Sequence, residues 1–102
     1  MNKVELHGRL TKDPELNDRS GTPVCDMRLA VNGTGNTPPL FIDVVAFKDR
    51  AIECAESLSK GSGVEVRGAL RYSEWEAKAS GSSKPQRRSK HSVIAAEVKP
   101  AA

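Results

Sequence analysis

Aromatic residues are scarce in this chain. Phe41, Phe47, Tyr72 and Trp75 are the only four in 102 residues, and none lies in the first 40 or the last 27. A core built on rings would have spread them. Long apolar runs are missing too: nothing approaches the ~20 consecutive apolar residues that span a bilayer, which excludes a transmembrane helix. The opening Met1-Asn2-Lys3-Val4-Glu5 carries charge where a signal peptide needs an apolar stretch, so a cytoplasmic protein is expected. The two cysteines, Cys25 and Cys54, stand apart without a Cys-x-x-Cys or Cys/His spacing. This excludes a disulfide framework and a zinc knuckle, and no metal or cofactor is expected. His7, His91, Cys25, Cys54, Asp13 and Glu15 are the residues a catalyst would use. No two of them share a local element at a spacing suited to acid–base or nucleophilic work, so an enzyme is not expected.

What the chain does have is an uneven charge. From Arg67 onward eight basic residues face three acidic ones, a net of +5, while the first 66 residues carry −2. Lys78, Lys84, Arg87, Arg88 and Lys90 follow one another with no acid between them, in Ser/Gly/Pro-rich surroundings. That composition reads as a mobile loop. It is either a solvated surface or a segment reaching toward an anionic ligand.

Period-2 alternation dominates the rest. Val4, Leu6 and Leu10 share one face of a first strand, with Lys3, Glu5, His7 and Arg9 on the other. Residues Thr11 to Thr22, with Asp13-Pro14, Asn17-Asp18 and Ser20-Gly21, read as a connection. A second strand runs from Pro23 to about Asn32, with Cys25, Met27, Leu29 and Val31 inward and Asp26 and Arg28 outward; it ends in a flexible tip, Asn32 to Asn36. The third strand is Leu40 to Phe47. Ala51, Cys54, Ala55 and Leu58 then recur at helical spacing, with Asp49 as N-cap and Gly61 after the end. A fourth strand carries Val64, Val66, Gly68 and Leu70 inward and continues toward Trp75; the fifth is Ser92 to Val98. This order predicts an all-β fold, a five-stranded Greek-key OB-fold barrel with one short helix between strands 3 and 4. Residues 1–99 form that single domain, and residues 100–102 begin a C-terminal tail that is missing or absent.

The third strand is apolar on both phases, and Asp43 weighs between them. A carboxylate is costly in a dry barrel, so the phase of Asp43, Phe41 and Phe47 is expected outside, with Ile42, Val44 and Ala46 inside. Stacking and core packing both stay open for the two phenylalanines. Exposed rings beside basic residues form a platform on which bases stack, whatever their identity. Trp75, between Glu74 and Glu76, has little apolar surface nearby and suits the same use; the alternative is a ring pinning the base of a hairpin. Tyr72 fits a base or a subunit contact equally.

Several stretches together resemble the bacterial single-stranded DNA-binding protein family. Asn2-Lys3-Val4-Glu5-Leu6-His7-Gly8-Arg9-Leu10 followed by Asp13-Pro14-Glu15 is similar to its first strand and Gly-x-Leu-x-x-Asp-Pro-Glu signature. Phe41-Ile42-Asp43-Val44-Val45-Ala46-Phe47 matches its third strand, Lys60 to Arg71 its helix exit and fourth strand, and Trp75 its tryptophan four residues further on. The resemblance implies binding and protection of single-stranded DNA without sequence preference, in replication, recombination or repair. Phe41, Phe47 and Trp75 map onto stacking positions, with Tyr72 added as a fourth ring. Phosphate contacts are expected from Lys84, Arg87, Arg88 and Lys90, and from Lys3, Arg9, Lys48, Lys60 and Arg71.

The family further implies a homotetramer, a dimer of dimers joined through the edge of the first strand. Cys25 and Cys54 are then buried thiols or, alternatively, an intersubunit bridge. Three departures stand out. The tip from Asn32 to Asn36 has no aromatic; Asp43, Asp49 and Glu74 replace residues that are often basic; and the Gly/Pro-rich linker with its acidic, partner-recruiting tip does not follow Ala102. Tail-dependent protein partners are therefore not supported by this chain. Two other readings compete: a primosomal protein B-like OB subunit acting mainly through protein contacts, and a protein-only interaction module. The Asp-Pro-Glu turn and Trp75 favour the single-stranded DNA-binding family over the first.

Overall fold

Alternating burial organises the sheet. In β1 (Val4–Leu10) the half-buried Val4 and Leu6 and the buried Leu10 alternate with exposed Glu5, His7 and Arg9. In β3 (Thr22–Val31) Cys25, Met27 and Leu29 are buried, and in β4 (Leu40–Phe47) so are Val44 and Ala46. Val64 and Val66 of β5 (Gly63–Lys78) and Val93 and Ala95 of β6 (Pro85–Pro100) complete the wall. These side chains form one core, closed at one end by Ala51 and Cys54 of the helix α1 (Asp49–Ser57). The computed structural model describes residues 1–33, 35–78 and 85–101, with backbone alone at 76–78 and 85–87. No described helix is long and apolar enough to cross a membrane.

The ring closes in the order β1-β5-β6-β4-β3 and back to β1, which makes five strands. All neighbours are antiparallel except β4 and β6, which run parallel through Asp43↔Ser92, Val44↔Val93 and Val45↔Ile94. Closure comes from Arg9↔Ala30 and Leu10↔Leu29. This is the expected OB barrel, with the helix between the strand that ends at Phe47 and the one that begins at Gly63.

A further strand, β2 (Glu15–Arg19), lies where a plain connection was expected. All five of its residues are exposed, so no apolar alternation betrays it. Its support is backbone pairing with β3 from Glu15↔Asp26 to Arg19↔Thr22. Ser20 and Gly21 turn it, both at positive φ as a two-residue hairpin loop demands, and Asp18 Oδ1 accepts the Gly21 N–H at 2.8 Å.

Other boundaries differ as well. The basic stretch from Lys78 to Lys90 is no loop over residues 85–90: these belong to β6 and pair with Ser73–Lys78 of β5. The fourth predicted strand accordingly runs past Trp75. β6 also continues through Lys99 and Pro100, residues with no sequence pattern, and Ala101 N–H donates to Gly63 O at 2.8 Å. Asp49 lies inside the first turn of the helix, and the N-cap is Lys48, at φ 58° with no side-chain cap bond. The Asp49 carboxylate still stands at the positive end of the helix dipole.

Two glycines permit the closure. At Gly8 an added Cβ would fall on the carbonyl oxygen of Ala30, where β1 crosses β3. At Gly68 it would fall on that of Ile94, beside the bulge between Arg67 and Gly68. Each of Gly8→Ala and Gly68→Ala is expected to lower stability by on the order of 1–3 kcal/mol, as overpacking does. Chemical denaturation checks this, and a change within about 0.5 kcal/mol, the surface range, would contradict it.

Candidate nucleic-acid interface

Paired positions on neighbouring strands share a face, so the register shows which side chains meet. One row across the outside of the barrel reads Arg28 (β3), Asp43 (β4), Ser92 (β6), Arg71 (β5). Arg9, Ala30 and Phe41 form the adjacent row over β1, β3 and β4. Two residues before Ser92 on β6 is Lys90, and two before that is Arg88, opposite Trp75. Phe41 and Trp75 thus lie on one continuous face, at 50% and 45% exposure, with Arg28, Arg71, Lys90 and Arg88 beside them.

For Phe41 the phase of β4 follows the expectation drawn from Asp43, whereas Val45 on the same phase is buried. Val44 and Ala46 point into the core while Phe41 is exposed. Asp43 itself is half-buried and accepts a hydrogen bond from Arg28 Nη1 at 2.9 Å and another from Lys90 Nζ at 3.3 Å. Burial pushes its carboxyl up, but the hydrogen bonds and charges of Arg28 and Lys90 outweigh this and hold it below the ordinary value. The Arg28 guanidinium also sits 5.9 Å from the centre of the Phe41 ring, within cation–π range. Arg71 donates to Ser73 Oγ on the same face.

Other predicted site residues are placed differently. Phe47 is on the Phe41 phase but half-buried beside Val24, near the helix end of the face. Tyr72 has the opposite parity to Trp75 on a strand without irregularity between them, so it faces the far side of the β5–β6 ribbon. There it tilts against His91, ring centroids 4.9 Å apart, and donates to Glu74 Oε1 at 2.6 Å. The structure does not bring it together with the other rings. Lys3 pairs with Glu5 at 3.1 Å on the β1–β5 wall, away from Phe41. Arg9 Nη1 donates to Gly61 O at 3.2 Å. Lys48 is exposed at the end of β4, and Lys60 is exposed in the turn after the helix, its N–H held by Asp13 Oδ1 at 2.7 Å. Lys84 lies outside the described residues, and Arg87 is described only as a backbone position paired with Glu76.

Arg28 is the functional candidate that the sequence did not single out. Its outward phase was legible, but its place between Phe41 and Asp43 depends on how β3 registers with β4.

A five-stranded OB barrel whose outer face carries exposed rings among cations is the architecture of a nucleic-acid-binding module. Comparison with known proteins agrees. Residues 1–101 match the model of the single-strand binding protein family, and the chain belongs to that family. It is 40% identical over 82 residues to the single-stranded DNA-binding protein of Caldanaerobacter subterraneus subsp. tengcongensis, covering 74% of this chain and 55% of the relative. Single-stranded DNA-binding protein 2 of Clostridium acetobutylicum is 37% identical over 105 residues, covering 97% of this chain and 75% of that one. The crystal structure of a deletion mutant of the single-stranded DNA binding protein from Thermus aquaticus superposes with a TM-score of 0.79 at 30% identity, over 100% of this chain and 42% of that one. The chain spans about half the length of the relatives it matches at 40% identity.

Cys25 and Cys54 are buried and unpaired in the core. Burial, reinforced by Cys54 and Asp26, pushes the Cys25 thiol up to about 11, and burial likewise raises that of Cys54. Both are protonated at neutral pH, the form that does not attack disulfides. A thiol-specific disulfide reagent should therefore leave the folded protein unlabelled at pH 7 and titrate both cysteines after unfolding. Rapid labelling of either one in the native state would contradict this placement.

Proposed function

We propose that this chain binds single-stranded DNA without sequence preference. The observation that carries the reading is the pair of exposed rings, Phe41 and Trp75, on one sheet face with Arg28, Arg71, Lys90 and Arg88 around them. Bases stack on Phe41 and Trp75, each contact being worth roughly 1–3 kcal/mol, and the cations follow the phosphates. Phe47, half-covered, extends the apolar track toward the helix; Lys48 stands at that end. Arg9 joins from the row that holds Phe41, and Lys84 and Arg87 belong to the same basic stretch of chain. Lys60 adjoins Gly61, whose carbonyl Arg9 holds, Lys3 is paired with Glu5, and Tyr72, on the far side of the ribbon, is better suited to a subunit contact. The module, expected over residues 1–99, extends to Ala101, whose N–H is bonded to Gly63 O.

The wider role is protection of single strands during replication, recombination or repair. Assembly belongs to the same proposal. Val4 to Gly8 pair with β5 on one side, whereas only Arg9 and Leu10 of β1 meet β3 on the other, which leaves an edge able to pair with a second copy. A dimer of dimers closes such edges and offers one strand several barrels. Sedimentation of a species near four times 11.0 kDa, unchanged by reductant, supports it; a monomer at micromolar concentration overturns it.

Binding itself is tested by titrating the protein with dT oligomers while following Trp75 emission at several salt concentrations. Affinity is expected to fall with a log–log slope of about −0.7 per phosphate neutralised. Duplex DNA, whose bases are already stacked, is expected to bind more weakly. Trp75→Ala and Phe41→Ala should each cost on the order of 1–3 kcal/mol in affinity with the melting temperature nearly unchanged, the first measured by anisotropy of a labelled oligomer. If Phe41→Ala lowers stability by several kcal/mol and spares affinity, the ring is a packing residue and not a stacking one.

A further inference from the structure

Asp43 lies at the centre of the aromatic face, and both of its described cationic partners are residues a phosphate would use. Arg28 Nη1 reaches it at 2.9 Å and Lys90 Nζ at 3.3 Å, from strands on either side. The carboxylate is 31% exposed against 44% for Arg28 and 47% for Lys90, so it sits lower than the cations that lean over it. A cleft of about 230 Å³ opens beside it, lined in part by Lys12, Glu15, Arg19, Asp26 and Lys90. Charges there are matched as well: Lys12 with Glu15 at 3.5 Å and Arg19 with Asp26 at 3.4 Å. A carboxylate and a phosphate present the same anionic oxygens to an Arg fork or a Lys ammonium. Asp43 therefore holds, in the free protein, the place that a phosphate next to a base on Phe41 would take.

We propose that Asp43 is a built-in competitor for phosphate, an intramolecular anion that a single strand must displace from Arg28 and Lys90, and that it sets the affinity of this face. The proposal rests on the reading of the protein as a single-strand binder. Each displaced pair gives up an ion pair in exchange for a phosphate contact, so two cations next to Phe41 contribute less to binding than their charge suggests. The Asp43 charge left behind also repels the incoming backbone. Electrostatic gain on this face is thus limited by the chain itself, independently of the stacking term.

Asp43→Asn keeps the shape of the side chain and removes its charge, and it is a surface change whose fold is verified by melting temperature; Asp43→Ser is the second variant. Either should bind dT oligomers on the order of tenfold more tightly than the unmodified chain. The salt slope should steepen by about 0.7 for each cation released to a phosphate. A double-mutant cycle adds a readout specific to the competition. Lys90→Gln should weaken binding several-fold more in the Asp43→Asn background than in the unmodified chain, where Asp43 already holds the ammonium. Unchanged affinity and slope in Asp43→Asn, weaker binding by it, or an equal effect of Lys90→Gln in both backgrounds would overturn the proposal while leaving single-strand binding intact. Failure of the unmodified chain and both Asp43 variants to bind would overturn both.

Discussion

The halves of this sheet meet along two seams, β1 on β3 and β4 on β6, and the second is three residue pairs long. Asp43, Val44 and Val45 lie parallel to Ser92, Val93 and Ile94, and through them the β3–β4 hairpin is joined to the β5–β6 hairpin. Parallel pairing cannot be made by a tight turn and has to be reached by a crossover, here the helix and the whole of β5. Two of the six residues, Val44 and Val93, are fully buried core members, so pairing and packing reinforce each other. The other phase of the same junction places Asp43 next to Ser92 and, through the register, Lys90 next to Phe41. A slip of one residue would send Val44 and Val93 outward and bury Asp43, so core packing and site geometry are fixed by one register.

How far the chain could be read in advance follows from this division. Strands with one face in the core announced themselves by alternation: Val4 and Leu6, Cys25 to Leu29, Val64 and Val66. Segments with no face in the core did not. β2 has five exposed residues, and residues 85–90 look like a basic linker because no apolar residue there needs burial. The outward turn of Phe41 was legible because a single charge, Asp43, shares its phase and cannot be buried cheaply. What Asp43 touches was not legible, since Arg28 and Lys90 are 15 and 47 residues away in sequence and arrive only through strand register. The odd spacing between Tyr72 and Trp75 puts them on opposite faces, but only on a strand known to be continuous through both.

Charge counted along the chain also differs from charge arranged in space. The first 66 residues are net acidic and the remainder net basic, which suggests a cationic half. The fold interleaves them: Lys90 from the basic part meets Asp43 from the acidic part, and Arg67 lies between Glu5 and Glu97. The potential over the aromatic face is consequently milder than the segment totals imply. Exposed pairs of this kind add little stability, commonly under about 1 kcal/mol. Their larger effect is on what else the same side chains can hold.

Beyond Arg71 and Ser92, β5 and β6 continue as a pair with no third described strand beside them, from Tyr72↔His91 to Lys78↔Pro85. Two-stranded ribbons twist more readily than sheets. Phe41 is paired with Ala30 on the barrel wall, two residues from the β4–β6 junction, whereas Trp75 lies on the two-stranded extension, paired with Arg88 alone. The distance between the two rings is therefore set by the twist of that ribbon against the barrel wall.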